Sequence, residues 1–372
     1  MNEEERLLAA VIAAPDDDAP RLAYAELLTA RGDPRGELIA VQVALDRLSP
    51  AERPWALLQR SQELAKALGP EAWLPAIKGM SVFCRRGLPE ALSVGGADFV
   101  ERAAEVFATA PVRELALDLP ASALARLLAM PELSRLSALS MKGIGDEGLT
   151  ALFSSPYLGG LQRLELYDNA LGDEGAAVLA ASPHLRGVQD LNLARCGIGV
   201  PGARALAVSP VLASVTRLVL AGNDLREGVE ALGGSPYVGE LRSLELSDTG
   251  TIDAGAAALA ASDHLGELRR LDLRKNAVGD AGAIALARST KLPRLSSLDL
   301  AENGVGEAGA EALASAAGLP NLRVLGLSYN PLYVPGKVEE WTDWDGSPTG
   351  SGPVIMDAAE LQARYGRRFK VE

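Results

Sequence analysis

Residues 161–171 read Leu-Gln-Arg-Leu-Glu-Leu-Tyr-Asp-Asn-Ala-Leu, and this stretch decides the fold. Its leucines follow the spacing Leu-x-x-Leu-x-Leu, and an Asn then stands two positions before a last Leu. The alternation of Leu164 and Leu166 is typical of a short strand that is buried on one face. The same pattern recurs in copies that open at Val112, Leu136, Val188, Val215, Leu241, Leu268, Leu295 and Leu322, with one more expected near Pro89 to Val94.

A second periodic feature has the same spacing as the leucine pattern. Glycines recur at intervals of about 27 residues, at Gly148, Gly175, Gly202, Gly228, Gly255, Gly282 and Gly309. The segment after Gly175 carries Ala176 and Leu179 at helical spacing, and Ser182-Pro183 ends it because proline cannot continue a helix. Each repeat is therefore predicted to contain one strand and one helix, which makes the fold class α/β and the architecture a solenoid.

Polar residues occupy fixed places in each repeat. The Asn position holds Asn169, Cys196, Asn223, Thr249, Asn276, Asn303 and Asn330. The strand turns away there, so a short polar side chain is expected to satisfy buried backbone groups. Cys196 belongs to this series and is interpreted as structural rather than nucleophilic. Asp173 and Asp280 are expected to cap the helices that they precede.

Composition narrows the function. The net charge of −13 argues against nucleic acid and against an anionic membrane surface as partners. The acidic start and the lack of a long apolar run predict neither a secretory signal nor a membrane span. Cys84 and Cys196 lie too far apart in sequence to suggest a disulfide framework. A cytoplasmic location is expected.

The repeat resembles the ribonuclease-inhibitor-like class of leucine-rich repeats over roughly residues 112–336. This resemblance implies a curved horseshoe of parallel strands and helices, with a concave strand face that binds a partner protein. The Ran GTPase-activating protein has the same fold, so a regulator of a small GTPase is the alternative. No catalytic residue of that activator has a counterpart here, so the alternative depends on fold analogy alone.

The N-terminal stretch from Asp16 to Leu28, followed by Arg31 to Ile39, resembles the bacterial repeat-companion domain, a short helical module that precedes leucine-rich repeats. It is expected to form helices that cap the array, with a separate binding role as the less favoured alternative. The predicted domains are residues 1–80, a helical cap; 81–336, the solenoid; and 337–372, a C-terminal cap with a Trp-containing loop.

The candidate binding surface is the set of strand residues that remain once the leucines are buried. It comprises Arg163, Glu165, Tyr167, Asn192, Arg217, Glu245, Arg270, Asp272, Arg274, Asp299 and Tyr329. Two interpretations are equally weighted: acids and arginines that neutralise one another, or a charged surface for a partner with basic patches. Trp341 and Trp344 are possible aromatic anchors, although shielding of the last repeat is the more common role for such residues.

No arrangement of residues points to catalysis. His184 and His264 occupy the same place in two repeats, which favours surface positions over a metal pair. No zinc spacing, phosphate-binding loop or nucleophile triad occurs in the sequence. The sequence therefore predicts a non-enzymatic protein-binding module without cofactor or metal.

Overall fold

The computed structural model describes residues 1–69, 72–316, 318–342, 348–355 and 363, with the backbone alone described at 146, 333–342 and 348–355. The chain divides into two compact units, Met1–Gln162 and Arg163–Glu372. No helix within the described ranges is long and apolar enough to cross a membrane.

The first unit begins with four helices and continues as strand–helix repeats. Its elements are α1 (Glu3–Ala13), α2 (Asp18–Ala30), α3 (Pro34–Asp46), α4 (Trp55–Leu68), β1 (Met80–Arg85), β2 (Leu88–Gly95), α5 (Asp98–Thr109), β3 (Glu114–Asp118), α6 (Ala121–Leu128), β4 (Ala138–Met141) and α7 (Asp146–Ser154). Strand β1 pairs antiparallel with β2, and β2, β3 and β4 pair in parallel. The worn repeat expected near Pro89 to Val94 is thus confirmed as strand β2.

The N-terminal helices pack on the β1–β2 hairpin through one apolar cluster. Val11, Tyr24, Leu28 and Ile39 of the helices surround Leu88 of β2, and all are buried. Gly87 has a φ of +80° at the turn, and an added Cβ would lie 2.4 Å from the Cα of Ile39. Glycine is therefore required there for the close approach as well as for the left-handed backbone. The predicted helical cap is confirmed.

A buried ion cluster joins the same elements. Arg21 of α2 is fully buried, and its guanidinium lies 2.8 Å from the carboxylate of Glu90 on β2 and 2.9 Å from the Pro15 carbonyl oxygen. Arg86 approaches the same Glu90 carboxylate at 3.3 Å. Burial raises the pKa of Glu90, although both arginines favour its charged form. Removing one member would leave an uncompensated charge in the interior.

The second unit alternates seven strands with six helices among its described residues. Its elements are β5 (Arg163–Glu165), α8 (Gly172–Ala181), β6 (Asp190–Asn192), α9 (Val200–Ala207), β7 (Arg217–Val219), α10 (Gly228–Gly233), β8 (Ser243–Glu245), α11 (Asp253–Ala261), β9 (Arg270–Asp272), α12 (Asp280–Ala287), β10 (Ser297–Asp299), α13 (Glu307–Ala314) and β11 (Val324–Gly326). Strands β5 to β11 are parallel and lie in chain order, and successive helices from α8 to α13 pack together. The α/β leucine-rich-repeat solenoid fold is confirmed.

The repeated leucines form the core of this unit. Leu164 and Leu166 have no exposed surface, and their equivalents through Leu325 and Leu327 are no more than 2% exposed. Each fully buried leucine side chain contributes roughly 1.5–3 kcal/mol from its removal from water. Because these side chains lie between neighbouring repeats, one repeat cannot be stable alone.

The Asn column, defined as Asn169, Cys196, Asn223, Thr249, Asn276, Asn303 and Asn330, links the backbone of consecutive repeats. The Oδ1 atom of Asn223 accepts hydrogen bonds from the N–H groups of Cys196 (2.9 Å) and Ile198 (3.0 Å). Its Nδ2 atom donates to the carbonyl oxygens of Leu193 and Leu220, both at 2.8 Å. Asn276, two repeats later, makes the same four hydrogen bonds to its own and the preceding repeat. The predicted backbone role of this column is confirmed.

Cys196 and Thr249 stand where the other repeats have Asn, and the repeat before each of them satisfies one N–H group locally. In the repeat before Cys196, the N–H of Leu171 donates to the carbonyl oxygen of Asn169 at 2.9 Å. In the repeat before Thr249, the N–H of Leu225 donates to the carbonyl oxygen of Asn223 at 3.0 Å. The Cys196 thiol donates to the Leu166 carbonyl oxygen at 3.0 Å, and burial raises the pKa of Cys196 to about 11. A thiol held in this protonated, hydrogen-bonded state is a structural group.

Aspartates make a third link between repeats, and here the capping prediction is wrong. Asp173 lies in the first turn of α8 but does not cap that helix. Its Oδ1 atom instead accepts from the N–H groups of Gly199 (2.7 Å) and Gly202 (2.8 Å) at the start of α9. Asp280 bonds the start of α13 in the same way. A Cβ on Gly202 would lie 2.7 Å from this carboxylate, and the same distance separates a Cβ on Gly309 from Asp280, which explains the glycine at these positions.

A two-stranded hairpin follows the last repeat. Strand β12 (Tyr333–Thr342) pairs antiparallel with β13 (Pro348–Ile355). Part of the segment expected to be a Trp-containing loop is therefore a strand, because Val338 to Thr342 contains residues that favour extended backbone despite the surrounding glycines. Trp341 lies in β12 by its backbone, whereas its side chain and all of Trp344 lie outside the described residues.

Candidate functional site

The candidate site is the strand face of the second unit, which we define as the residues of β5 to β11 that alternate with the core leucines, together with the flanking turns. Of these strand residues, Val219 is itself buried. Two columns of side chains cross it in parallel register. The first column is Arg163, Asp190, Arg217, Ser243, Arg270, Ser297 and Val324. The second column is Glu165, Asn192, Val219, Glu245, Asp272, Asp299 and Gly326. Neighbouring strands lie roughly 4.8 Å apart, so successive members of a column are within reach of one another.

Arg217 is the centre of an ion-pair chain in the first column. Its guanidinium lies 3.1 Å from Asp190 and 2.8 Å from Glu245, and Arg163 approaches Asp190 at 3.8 Å. Burial lowers the pKa of Arg217, but Glu245 and Asp190 outweigh this and raise it overall. The ion-pair chain therefore links side chains on four neighbouring strands, β5 to β8.

Arg274 neutralises the later acids of the second column. It lies 2.8 Å from Asp272 and 3.5 Å from Asp299. Hydrogen bonding to Asp272 raises the pKa of Arg274 above its usual range. The face acids Glu245, Asp272 and Asp299 thus each face an arginine of the same surface.

Three members of the second column also shape the turns that follow their strands. Asn192, Asp272 and Asp299 each accept a hydrogen bond from the N–H group two residues later, at 3.1, 2.9 and 3.0 Å. Such bonds fix the exit of the chain from the strand. Glu165 makes no ion pair with any residue that the structure describes.

The two tyrosines lie in the turns. Tyr329 follows β11 with a φ of +59°, and 74% of its surface is exposed. Tyr167 follows β5 and is partly buried. A tyrosine held exposed on a left-handed backbone offers contact area that costs little side-chain entropy to immobilise.

Sequence analysis missed one charged feature of this surface, which we call the arginine edge: Arg242, Arg269, Arg270 and Arg323. All four are exposed. Only Arg270 belongs to the columns read from the sequence. The others stand one residue before the first column, in the series Gln189, Thr216, Arg242, Arg269, Ser296 and Arg323. Comparing that series across repeats would have revealed them.

No metal site accompanies this surface. Across the described ranges, no three His, Cys, Asp or Glu side chains cluster in a way that could hold a metal ion. His184 lies in the connector after α8 and His264 in the connector after α11.

Comparisons with known proteins agree with the repeat. A family model described as "Leucine Rich repeat" matches residues 161–180, 184–207, 268–287 and 292–314. No curated protein sequence matches the chain.

Solved structures that are similar to this chain include the following two. An internalin (inlF) from Listeria monocytogenes str. 4b F2365 is 20% identical, with 60% of this chain and 63% of the internalin covered and a TM-score of 0.39. This chain therefore spans less than two thirds of that internalin. The structure of the Rad7 and Elc1 complex in yeast contains a chain that is 15% identical, with coverage of 93% of this chain and 97% of that chain and a TM-score of 0.48.

Proposed function

We propose that this chain is a non-enzymatic interaction module that binds a partner protein on the strand face of its second unit. Leucine-rich repeats generally mediate protein–protein interaction, and solenoids use extended strand-lined surfaces to do so. The observation that carries the proposal is the pair of aligned columns across seven strands. Their side chains are not needed for the leucine core, and internal ion pairs hold many of them in place. A preorganised polar surface binds with a lower entropic cost.

Several finer features belong to the same proposal. We infer that the repeats are of the ribonuclease-inhibitor-like class, since each pairs a strand with a full helix over about 27 residues. The packing of α1 to α3 on the first hairpin supports a repeat-companion domain over residues 1–80. We propose that the solenoid follows to residue 336 and a C-terminal cap to residue 372. The resemblance of the N-terminal stretch to the bacterial repeat-companion domain supports a bacterial protein, for which we propose a cytoplasmic location. The acidic charge favours a protein partner over a nucleic acid or a membrane.

The test changes charges on the strand face without removing turn bonds. The face variant combines Glu165→Lys, Glu245→Lys, Asp272→Asn and Asp299→Asn, because Asn keeps the oxygen that accepts the turn N–H. The control variant makes the same change in net charge among exposed residues of the helices and connectors, with Glu174→Lys, Glu230→Lys, Glu311→Gln and Asp263→Asn.

Both variants and the parent chain are used to capture proteins from a lysate of the source cell, and captured proteins are quantified by mass spectrometry. We expect the face variant to lose its specific partner by roughly tenfold or more, since it breaks the ion pairs that hold Arg217 and Arg274 in place and so removes the preorganised surface. The control variant should retain it. Equal capture by the face variant would exclude the strand face as the binding surface.

A further inference from the structure

The arginine edge lies at the N-terminal ends of the later strands, with Ser296 between Arg269 and Arg323. The N–H of Arg269 bonds the carbonyl oxygen of Arg242, that of Ser296 bonds Arg269, and that of Arg323 bonds Ser296, each at 2.9 Å. These residues therefore lie on four adjacent segments. With a strand spacing of about 4.8 Å, Arg242 and Arg269 are neighbours, and Arg323 lies about 10 Å beyond Arg269. Arg270 adds a fourth guanidinium beside Arg269.

These four arginines are exceptional on this face because no described carboxylate pairs with them. Arg163, Arg217 and Arg274 all form ion pairs on the same face. The nearby carboxylate of Glu267 is already bonded to Arg294. In a chain with 49 acidic and 36 basic residues, most surface cations could find an acidic neighbour. These four arginines, which have no ion-pair partner among the described residues, are therefore available to an external anion.

The acids of the face are, by contrast, largely engaged. Glu245 faces Arg217, and Asp272 and Asp299 face Arg274. The charge that remains open for a partner is thus basic at the entrance to β8, β9 and β11. This reverses the partner charge expected from the acidic column alone.

We propose that the arginine edge binds an extended segment of the partner protein that carries at least two Asp or Glu side chains. Guanidinium groups bind carboxylates in a two-pronged geometry. Carboxylates three residues apart in an extended segment are separated by about 10 Å, which matches the distance from Arg269 to Arg323. This inference depends on the proposed function, because it names the chemistry of the partner that the strand face takes.

The probe is a displayed library of random 12-residue peptides, selected on the full chain. The edge variant carries Arg242→Glu, Arg269→Glu and Arg323→Glu. Its matched control carries Arg186→Glu, Arg204→Glu and Arg288→Glu, three exposed arginines of the helices and connectors that likewise lack an ion pair with a described residue. A single-stranded 12-nucleotide RNA is assayed in parallel.

We expect the selected peptides to be enriched in Asp and Glu, to bind the edge variant at least tenfold more weakly, and to bind the control within about twofold of the parent. Peptides that bind the edge variant unchanged, or an absence of acidic peptides, would overturn the inference. Arginine-dependent binding of the RNA without acidic peptides would overturn it too. If the face variant loses peptide binding and the edge variant keeps it, strand-face binding stands and the arginine-edge inference fails. If neither variant loses peptide binding, strand-face binding and the arginine-edge inference both fail.

Discussion

Replacing Asn223 with alanine is expected to lower the free energy of unfolding by at least about 3 kcal/mol. Asn223 is only 2% exposed, and its side chain serves four backbone groups, three of them in the preceding repeat. Alanine leaves the N–H groups of Cys196 and Ile198 and two carbonyl oxygens without partners in the interior. Chemical denaturation followed by circular dichroism measures the loss, and hydrogen exchange localises it to the repeats around residues 190–225.

The matched control for this prediction is Asn192→Ala. Asn192 is the same residue type in the same repeat array, but it is partly exposed and accepts a single turn bond from Ala194. Its loss should cost less than about 1 kcal/mol. Equal effects of the two substitutions would show that the Asn column does not carry the link between repeats.

Replacing Glu90 with glutamine is expected to destabilise the first unit by about 3 kcal/mol or more. Glutamine keeps the shape of the side chain but removes the charge that Arg21 and Arg86 face in the interior. Arg21 has no exposed surface, so water cannot replace the lost partner. The control is Glu101→Gln, which breaks an ion pair of nearly the same length with Arg126 on the surface, at 2.7 Å. Denaturation should show little change for the control.

The double variant Arg21→Met with Glu90→Met separates a buried charge from other causes. Because it removes both charges together, it should be more stable than Glu90→Gln alone. The loss of unfolding free energy in the double variant could instead equal the sum of the losses in the two single Met variants. The two side chains would then act independently, and the ion cluster would not be what holds α2 against the hairpin.

The repeat made most of the fold predictable from sequence. Leucine burial and the backbone role of the Asn column could be predicted because both depend on positions that recur with one spacing. Cys196 could be assigned a structural role for the same reason. The Asp173 bond to Gly199 and Gly202 could not be predicted, because it joins residues 26 and 29 positions apart and depends on how closely α8 and α9 approach.

The candidate site was less predictable than the fold. Sequence placed the two columns side by side correctly but could not say which charges pair, because that depends on side-chain reach across strands. It treated Asp272 and Asp299 as surface acids, whereas both also bond the turn that follows them. Arg242, Arg269 and Arg323 were missed because strict alternation assigns the residue before the first column to the buried face.

Hydrogen-exchange footprinting of the captured partner complex locates the binding surface. Binding on the strand face predicts slower exchange in β5 to β11 and in the turns that contain Tyr167, Arg274 and Tyr329, with little change in α8 to α13. Slower exchange confined to those helices, with the strands and their turns unaffected, would contradict binding on the strand face.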